Sequence, residues 1–81
     1  MPVWFLTVDV SDVFHKDMPY KEKRSRIVEI LRESKWYSDD YAELVEVIDA
    51  LSEAPTVYEF DFYWNHLYDL ADEDRIWIKT W

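Results

Sequence analysis

The sequence predicts one α+β domain, in which two terminal β-strands pair in a small sheet and pack against three α-helices. Residues 3–10 and 75–80 are rich in the β-branched and aromatic residues typical of strands. Between them, apolar residues recur at the spacing of amphipathic helices. The chain has 81 residues, enough for one small core. Because two strands alone are only marginally stable, we expect the helices to cover one face of the sheet.

The first strand is predicted at residues 3–10, where the sequence is VWFLTVDV. Since side chains alternate along a strand, one face carries Trp4, Leu6, Val8 and Val10, and the other carries Val3, Phe5 and Thr7. Both sets contain apolar residues, so we expect both faces to be at least partly covered. Residues 11–18 follow as a connection.

Two helices are predicted next, at about residues 19–35 and 39–54. Pro19 suits the first turn of the first helix, and Pro55 ends the second. The second helix is expected to begin near Ser38 or Asp40, since Asp40 and Glu43 have capping-box spacing. Its polar side is acidic and carries Asp39, Glu43, Glu46, Asp49 and Glu53.

Residues 57–73 admit two interpretations. The alternation of Tyr58, Phe60, Phe62 and Trp64 is typical of a strand. A helix fits better, because Thr56 and Glu59 have capping-box spacing and the apolar residues then share one arc. That arc contains Phe60, Tyr63, Trp64, Leu67, Leu70 and Ala71. We therefore predict a third helix, on which only Phe62 is misplaced, because it falls on the polar side.

The closing strand is predicted at residues 75–80, with Ile76 and Ile78 on its inner face. The central apolar residue of each predicted element should be buried, and these residues are Trp4, Leu31, Ile48, Leu67 and Ile76. The outer edges of the two strands stay open, so they could join a second copy of the chain into a homodimer.

Charge is distributed very unevenly along the chain. Residues 36–74 contain twelve carboxylates and no Lys or Arg, within a chain of formal net charge −9. The resulting field favours basic proteins as partners and disfavours direct binding of nucleic acid or of anionic membranes. The same acidic residues could also serve solubility alone.

Two residue types are absent, and their absence limits the kinds of catalytic and binding site that the protein could contain. The chain has no Cys, so disulfides, thiol catalysis and Cys-ligated metal sites are excluded. It has no Gly, which argues strongly against Walker A loops, dinucleotide-binding turns and nucleophile elbows. The opening lacks a signal-peptide pattern, and no apolar run approaches membrane-spanning length. We expect a cytoplasmic binding protein that needs no cofactor and is not an enzyme.

A small metal-dependent enzyme is the weaker alternative. Asp9 and Asp12 follow the first strand, with His15 and Asp17 nearby, and carboxylates at such a position hold metal ions in some folds. His66 and Asp69 are three residues apart on the third helix and could form an acid–base pair. Ordinary turn and surface roles explain both sets better, so we predict no metal site and no catalytic residue.

The candidate binding site is centred on Phe62. His66, Asp69 and Glu73 follow it on the third helix, and Asp61 and Asp72 flank it. An aromatic anchor inside a charged rim is typical of protein-binding patches. The second helix adds an acidic stripe of Asp39, Glu43 and Glu46. Because its carboxylates are spaced at about 5–6 Å, such a stripe could imitate phosphates and make the protein a nucleic-acid mimic.

Both ends of the sequence resemble a known class of proteins. The opening VWFLTVDVSDVFH and the closing LYDLADEDRIWIKTW are similar to small acidic accessory proteins encoded by bacteriophages of actinobacteria. The resemblance is less distinct over residues 19–55. It implies a viral accessory or inhibitor protein that binds a host protein in the bacterial cytoplasm. It assigns neither a catalytic residue nor a target.

Overall fold

The computed structural model describes residues 6–34 and 39–80, and within them the chain has the predicted α+β fold. The elements follow in the order β1 (Leu6–Asp9), α1 (Ser11–Phe14), α2 (Tyr20–Glu33), a 3-10 turn (Asp39–Tyr41), α3 (Ala42–Glu53), α4 (Val57–Glu73) and β2 (Ile76–Lys79). The three predicted helices correspond to α2, α3 and α4, and the predicted strands to β1 and β2.

The two strands form a parallel pair, with Leu6 opposite Ile76 and Asp9 opposite Lys79. Parallel pairing needs a long crossover connection, which the intervening helices provide. Residues on the inner face, such as Val8 and Ile78, are buried. Thr7 on the outer face is exposed, so the expectation that both faces of the first strand are covered is wrong for its described part. Residues 3–5 lie outside the described residues.

The short helix α1 was expected to be part of a connection. It forms because the Asp9 carboxylate organises the turn that leaves β1. Asp9 Oδ1 accepts hydrogen bonds from the backbone N–H of Ser11 at 2.9 Å and from its hydroxyl at 2.5 Å. The N–H of Phe14 then donates to the carbonyl of Val10 at 2.8 Å. This turn directs the chain from the sheet edge back toward α2.

Helix α3 begins one residue later than the predicted capping box implies. The residue before it is Tyr41, and in the described part of the chain no side chain caps its first turn. The preceding 3-10 turn contains Asp40, so the proposed pairing of Asp40 with Glu43 is wrong. At the other end Pro55 follows the helix as expected, since α3 stops at Glu53.

Helix α4 is the helix that the capping box predicted, and the strand alternative is wrong. The hydroxyl of Thr56 accepts a hydrogen bond from the N–H of Glu59 at 3.3 Å. Phe60, Trp64, Leu67 and Ala71 are buried along one side. No helix among the described residues is both long and apolar enough to cross a bilayer.

The core lies between the inner face of the sheet and helices α2, α3 and α4. Leu31, Ile48, Leu67 and Ile76 are buried as predicted, with Ile48 completely inaccessible to solvent. Trp4, the remaining predicted core residue, lies outside the described residues. All of the buried residues in the described part are apolar. The core therefore holds α3 and α4 against each other through aliphatic and aromatic contacts.

The turn between α4 and β2 requires a left-handed backbone, and the chain has no Gly to provide it. Arg75 takes the positive φ of 59° that Gly usually adopts after a helix. Its N–H donates to the carbonyl of Asp72 at 3.1 Å, which closes the turn. A left-handed conformation costs a residue with a Cβ roughly 1–2 kcal/mol.

Candidate functional site

Helix α4 presents large apolar side chains to solvent at its N-terminal half. Phe62 is 70% exposed and Tyr58, one turn earlier, is 89% exposed. The structure thus places Phe62 on the polar side of the helix, as its helical phase predicts. Its ring meets the ring of Tyr63 edge-on, with centroids 5.3 Å apart and an interplanar angle of 81°. That contact supports the Phe62 ring while most of its surface remains open.

Phe62 borders a groove between α3 and α4 that encloses about 600 Å³. Helix α3 contributes Glu46, Val47 and Ala50, and helix α4 contributes Phe62, Tyr63, Asn65, His66 and Asp69. The floor is apolar because Val47 is buried there. We call this feature the Phe62 groove.

A second cleft continues along the same two helices. Its lining contains Glu43 from the start of α3, Glu73 from the end of α4, and the neighbouring Asp40 and Asp74. The Phe62 groove is lined by the middle of α3 and the middle of α4, whereas the second cleft is lined by the start of α3 and the end of α4. The two helices therefore run antiparallel. Among the described residues, no Lys or Arg lines either cleft. We call the Phe62 groove and this second cleft together the acidic seam, because their charged lining residues are acids.

The predicted site residues do not all belong to one surface. Phe62, His66, Asp69 and Glu46 meet in the Phe62 groove, although they come from two helices. Glu43 and Glu73 face the second cleft.

Three predicted residues lie elsewhere. Asp61 lines a separate pocket between α2 and α4. Asp72 is exposed and lines neither part of the seam. The structure does not describe the side chain of Asp39.

Sequence reasoning missed several residues of this surface. Tyr58 lies one turn before Phe62 on the same side of α4, so the helical phase that placed Phe62 could also have placed Tyr58. Val47 and Ala50 could not be found in this way. They belong to the groove only because α3 packs beside α4, and the sequence pattern carries no information on that pairing.

The side chains considered for a metal site do not converge. Asp9 is engaged by Ser11, and these hydrogen bonds, the hydroxyl first and the N–H second, lower the pKa of the Asp9 carboxyl. The ring of His15 packs edge-on against Phe14, with centroids 5.7 Å apart. Across residues 6–34 and 39–80, no group of three or more His, Asp or Glu side chains is arranged to hold a metal ion.

His66 and Asp69 both face the Phe62 groove and both are exposed. Within the described part of the chain, no hydrogen bond joins their side chains. Their arrangement is that of two polar groups on the rim of a binding surface. It lacks the contact that would orient an acid–base pair.

Comparisons with protein-family models, with curated proteins and with solved structures found no match. Function must therefore be inferred from the surfaces that the fold creates.

Proposed function

We propose that this chain is a binding module that acts without catalysis and whose Phe62 groove engages a basic surface of a protein partner. The observation that carries the proposal is the exposure of Phe62, 70%, beside a groove whose charged lining residues are acidic. A phenyl ring that is mostly exposed to water stabilises the monomer much less than a buried ring does, because it contributes little to the core. A partner that covers the ring would gain the free energy of burying it.

The ring and the carboxylates have different roles in this proposal. Phe62 enters an apolar pocket on the partner and provides most of the affinity, as central aromatic residues do in other interfaces. Glu46 and Asp69 remain near the rim, where charges mainly raise the association rate and fix orientation. The partner should accordingly present Lys or Arg around an apolar cavity.

The acidic seam beyond the groove supports a second candidate function. Glu43 and Glu46 lie on α3, and Asp69 and Glu73 on α4, so two rows of carboxylates run along adjacent helices. Two such rows could occupy a cleft that normally binds two phosphate strands. A nucleic-acid mimic of this kind would bind mainly through charge, whereas the first proposal requires the aromatic anchor.

The resemblance to phage accessory proteins suggests where to look for the partner. It would place the target among host proteins of a bacterial cytoplasm. The test is affinity capture from a bacterial lysate with the wild-type chain as bait, at low and at high salt, followed by identification of the retained proteins.

Salt separates the two candidate functions. A partner held through Phe62 should stay bound as ionic strength rises, because apolar burial is not screened. A partner held by phosphate mimicry should be released steeply. Matched baits carrying Phe62→Ala and Tyr68→Ala identify partners that need the groove, because Tyr68 is an exposed aromatic on the same helix that lines neither part of the seam.

A further inference from the structure

A separate pocket, which shares no lining residue with the acidic seam, lies where α2 meets the first turns of α4. It encloses about 280 Å³ and is lined by Phe14, Met18, Tyr20, Lys23, Arg24, Ile27, Val57, Phe60 and Asp61. Most of these side chains are apolar, and three of them are aromatic rings. Its size is at the lower end of the range for small-molecule sites.

The pocket walls are held in place by contacts between elements. The hydroxyl of Tyr20 donates to the carbonyls of Ala54 at 2.8 Å and Thr56 at 3.0 Å, which ties α2 to the chain between α3 and α4. The rings of Tyr20 and Phe60 meet edge-on with centroids 6.0 Å apart, and Phe14 packs on Trp64 at 5.5 Å. Because these side chains are fixed, the pocket exists before any ligand binds.

Two cations line this pocket in a protein that is otherwise strongly acidic. The Lys23 ammonium lies 5.9 Å from the centroid of the Phe14 ring and is only partly exposed. Across the described residues it forms neither a hydrogen bond nor an ion pair, so its three N–H donors are available. An ammonium group that is partly removed from water benefits from an anionic partner.

Arg24 is held differently and provides a second cationic group. Its guanidinium lies over the ring of Tyr20, 5.6 Å from the centroid, and its Nη1 donates to the carbonyl of Ala54. These contacts orient the guanidinium and leave other N–H groups free to donate. Of the lining residues that the structure describes, Asp61 is the only acid, so they carry a net positive charge within a chain of −9.

We propose that this pocket binds a compact apolar carboxylate, such as an aromatic ring on a short acidic chain. The ring would lie among Phe14, Tyr20 and Phe60, and the carboxylate would accept hydrogen bonds from Lys23 and from the free N–H groups of Arg24. Such a ligand needs an apolar part that the pocket can bury and a carboxylate that can accept charge-assisted hydrogen bonds. The site shares no residue with the Phe62 groove, so it is independent of the proposed protein-binding function.

The apolar carboxylate that occupies this pocket could be a free small acid or the C-terminal residue of a peptide. The probe is 3-phenylpropionate, titrated into the 15N-labelled full chain and followed by NMR. Two control probes keep the ring and change the charge: 3-phenylpropanamide is neutral and 2-phenylethylamine is cationic. Because the net charge of the protein favours cations, a preference for the acid must come from the pocket itself.

We expect the acid to shift resonances around Phe14, Tyr20 and Phe60 and to bind about tenfold more tightly than the amide, the effect of one hydrogen bond to a charged group. Lys23→Gln should remove most of this difference. Lys21→Gln is the matched control, because Lys21 is an exposed residue of α2 outside the pocket lining. Thermal denaturation of both variants confirms that each is folded.

The proposal is overturned if the amide or the amine binds as tightly as the acid, or if Lys21→Gln and Lys23→Gln weaken the acid equally. It is also overturned if no probe shifts the pocket resonances at millimolar concentration. A short acetylated peptide ending in Phe distinguishes the sources. Tighter binding of the peptide than of 3-phenylpropionate supports a peptide C-terminus, and weaker binding supports a free acid.

Discussion

Two phenylalanines that are two residues apart on α4 should respond very differently to truncation. Phe60 is 7% exposed and packs in the core, whereas Phe62 is 70% exposed. Residues two apart lie about 200° from each other around a helix, because each residue turns the chain by about 100°. In a strand the same two residues would share one face. The comparison of Phe60→Ala with Phe62→Ala therefore tests both the helix and its phase.

The expected magnitudes follow from burial. A buried aromatic side chain covers roughly 200 Å², so a Phe62 ring that is 70% exposed buries roughly 60 Å². At ~25 cal/mol per Å², its removal costs about 1.5 kcal/mol. The higher helix propensity of Ala offsets about 0.5 kcal/mol of that cost. The net loss for Phe62→Ala is then about 1 kcal/mol, against about 3–5 kcal/mol for Phe60→Ala in the core.

Urea denaturation followed by circular dichroism measures both free energies of unfolding. The two variants should share one m-value, and their midpoints should separate clearly. Equal losses of several kcal/mol would show that both rings are buried on one face, as in a strand. A larger loss for Phe62→Ala than for Phe60→Ala would show that the helix is rotated about its axis.

Three further changes test other parts of the fold. Ile48→Ala should cost about 2–5 kcal/mol in chemical denaturation, whereas the volume-conserving Ile48→Leu should cost less than about 1.5 kcal/mol. Arg75→Gly should be more stable than Arg75→Ala by about 1 kcal/mol, because both remove the side chain and only Gly adopts positive φ without strain. NMR titration should give Asp9 a pKa below its ordinary range, and Ser11→Ala should raise it. Because folding lowers this pKa, the ionised carboxylate stabilises the fold above the unfolded-state pKa, and that contribution is lost as the pH falls through the folded-state pKa.

The helices were predictable where local chemistry and periodicity agree. Thr56 and Glu59 mark the start of α4, and the apolar arc that follows fixes its phase, so the position of Phe62 on the polar side follows from sequence alone. The sequence left open whether the ring packs against a neighbouring loop or helix, and the structure shows it 70% exposed. The start of α3 was predicted wrongly for a local reason. Asp40 has the right spacing from Glu43, but the chain around it forms a 3-10 turn that leaves Tyr41 before the helix.

Other features depend on tertiary contacts that no local pattern reports. Helix α1 is too short to show periodicity, and it depends on how Asp9 bonds to Ser11. The Phe62 groove requires α3 to pack beside α4. The pocket between α2 and α4 requires Lys23 on α2 to meet Phe60 on α4. In the sequence, nothing distinguishes Lys23 from the other basic residues of the same amphipathic helix.

We propose that Phe62 anchors a basic protein partner in the groove between α3 and α4. The most direct measurement is the affinity of a captured partner for the wild-type chain, for Phe62→Ala and for Tyr68→Ala, determined by surface plasmon resonance at physiological salt. We expect Phe62→Ala to weaken binding by about 2 kcal/mol or more while the domain stays folded, and Tyr68→Ala to bind as the wild type does. Unchanged affinity for Phe62→Ala, with the partner still bound, would contradict it.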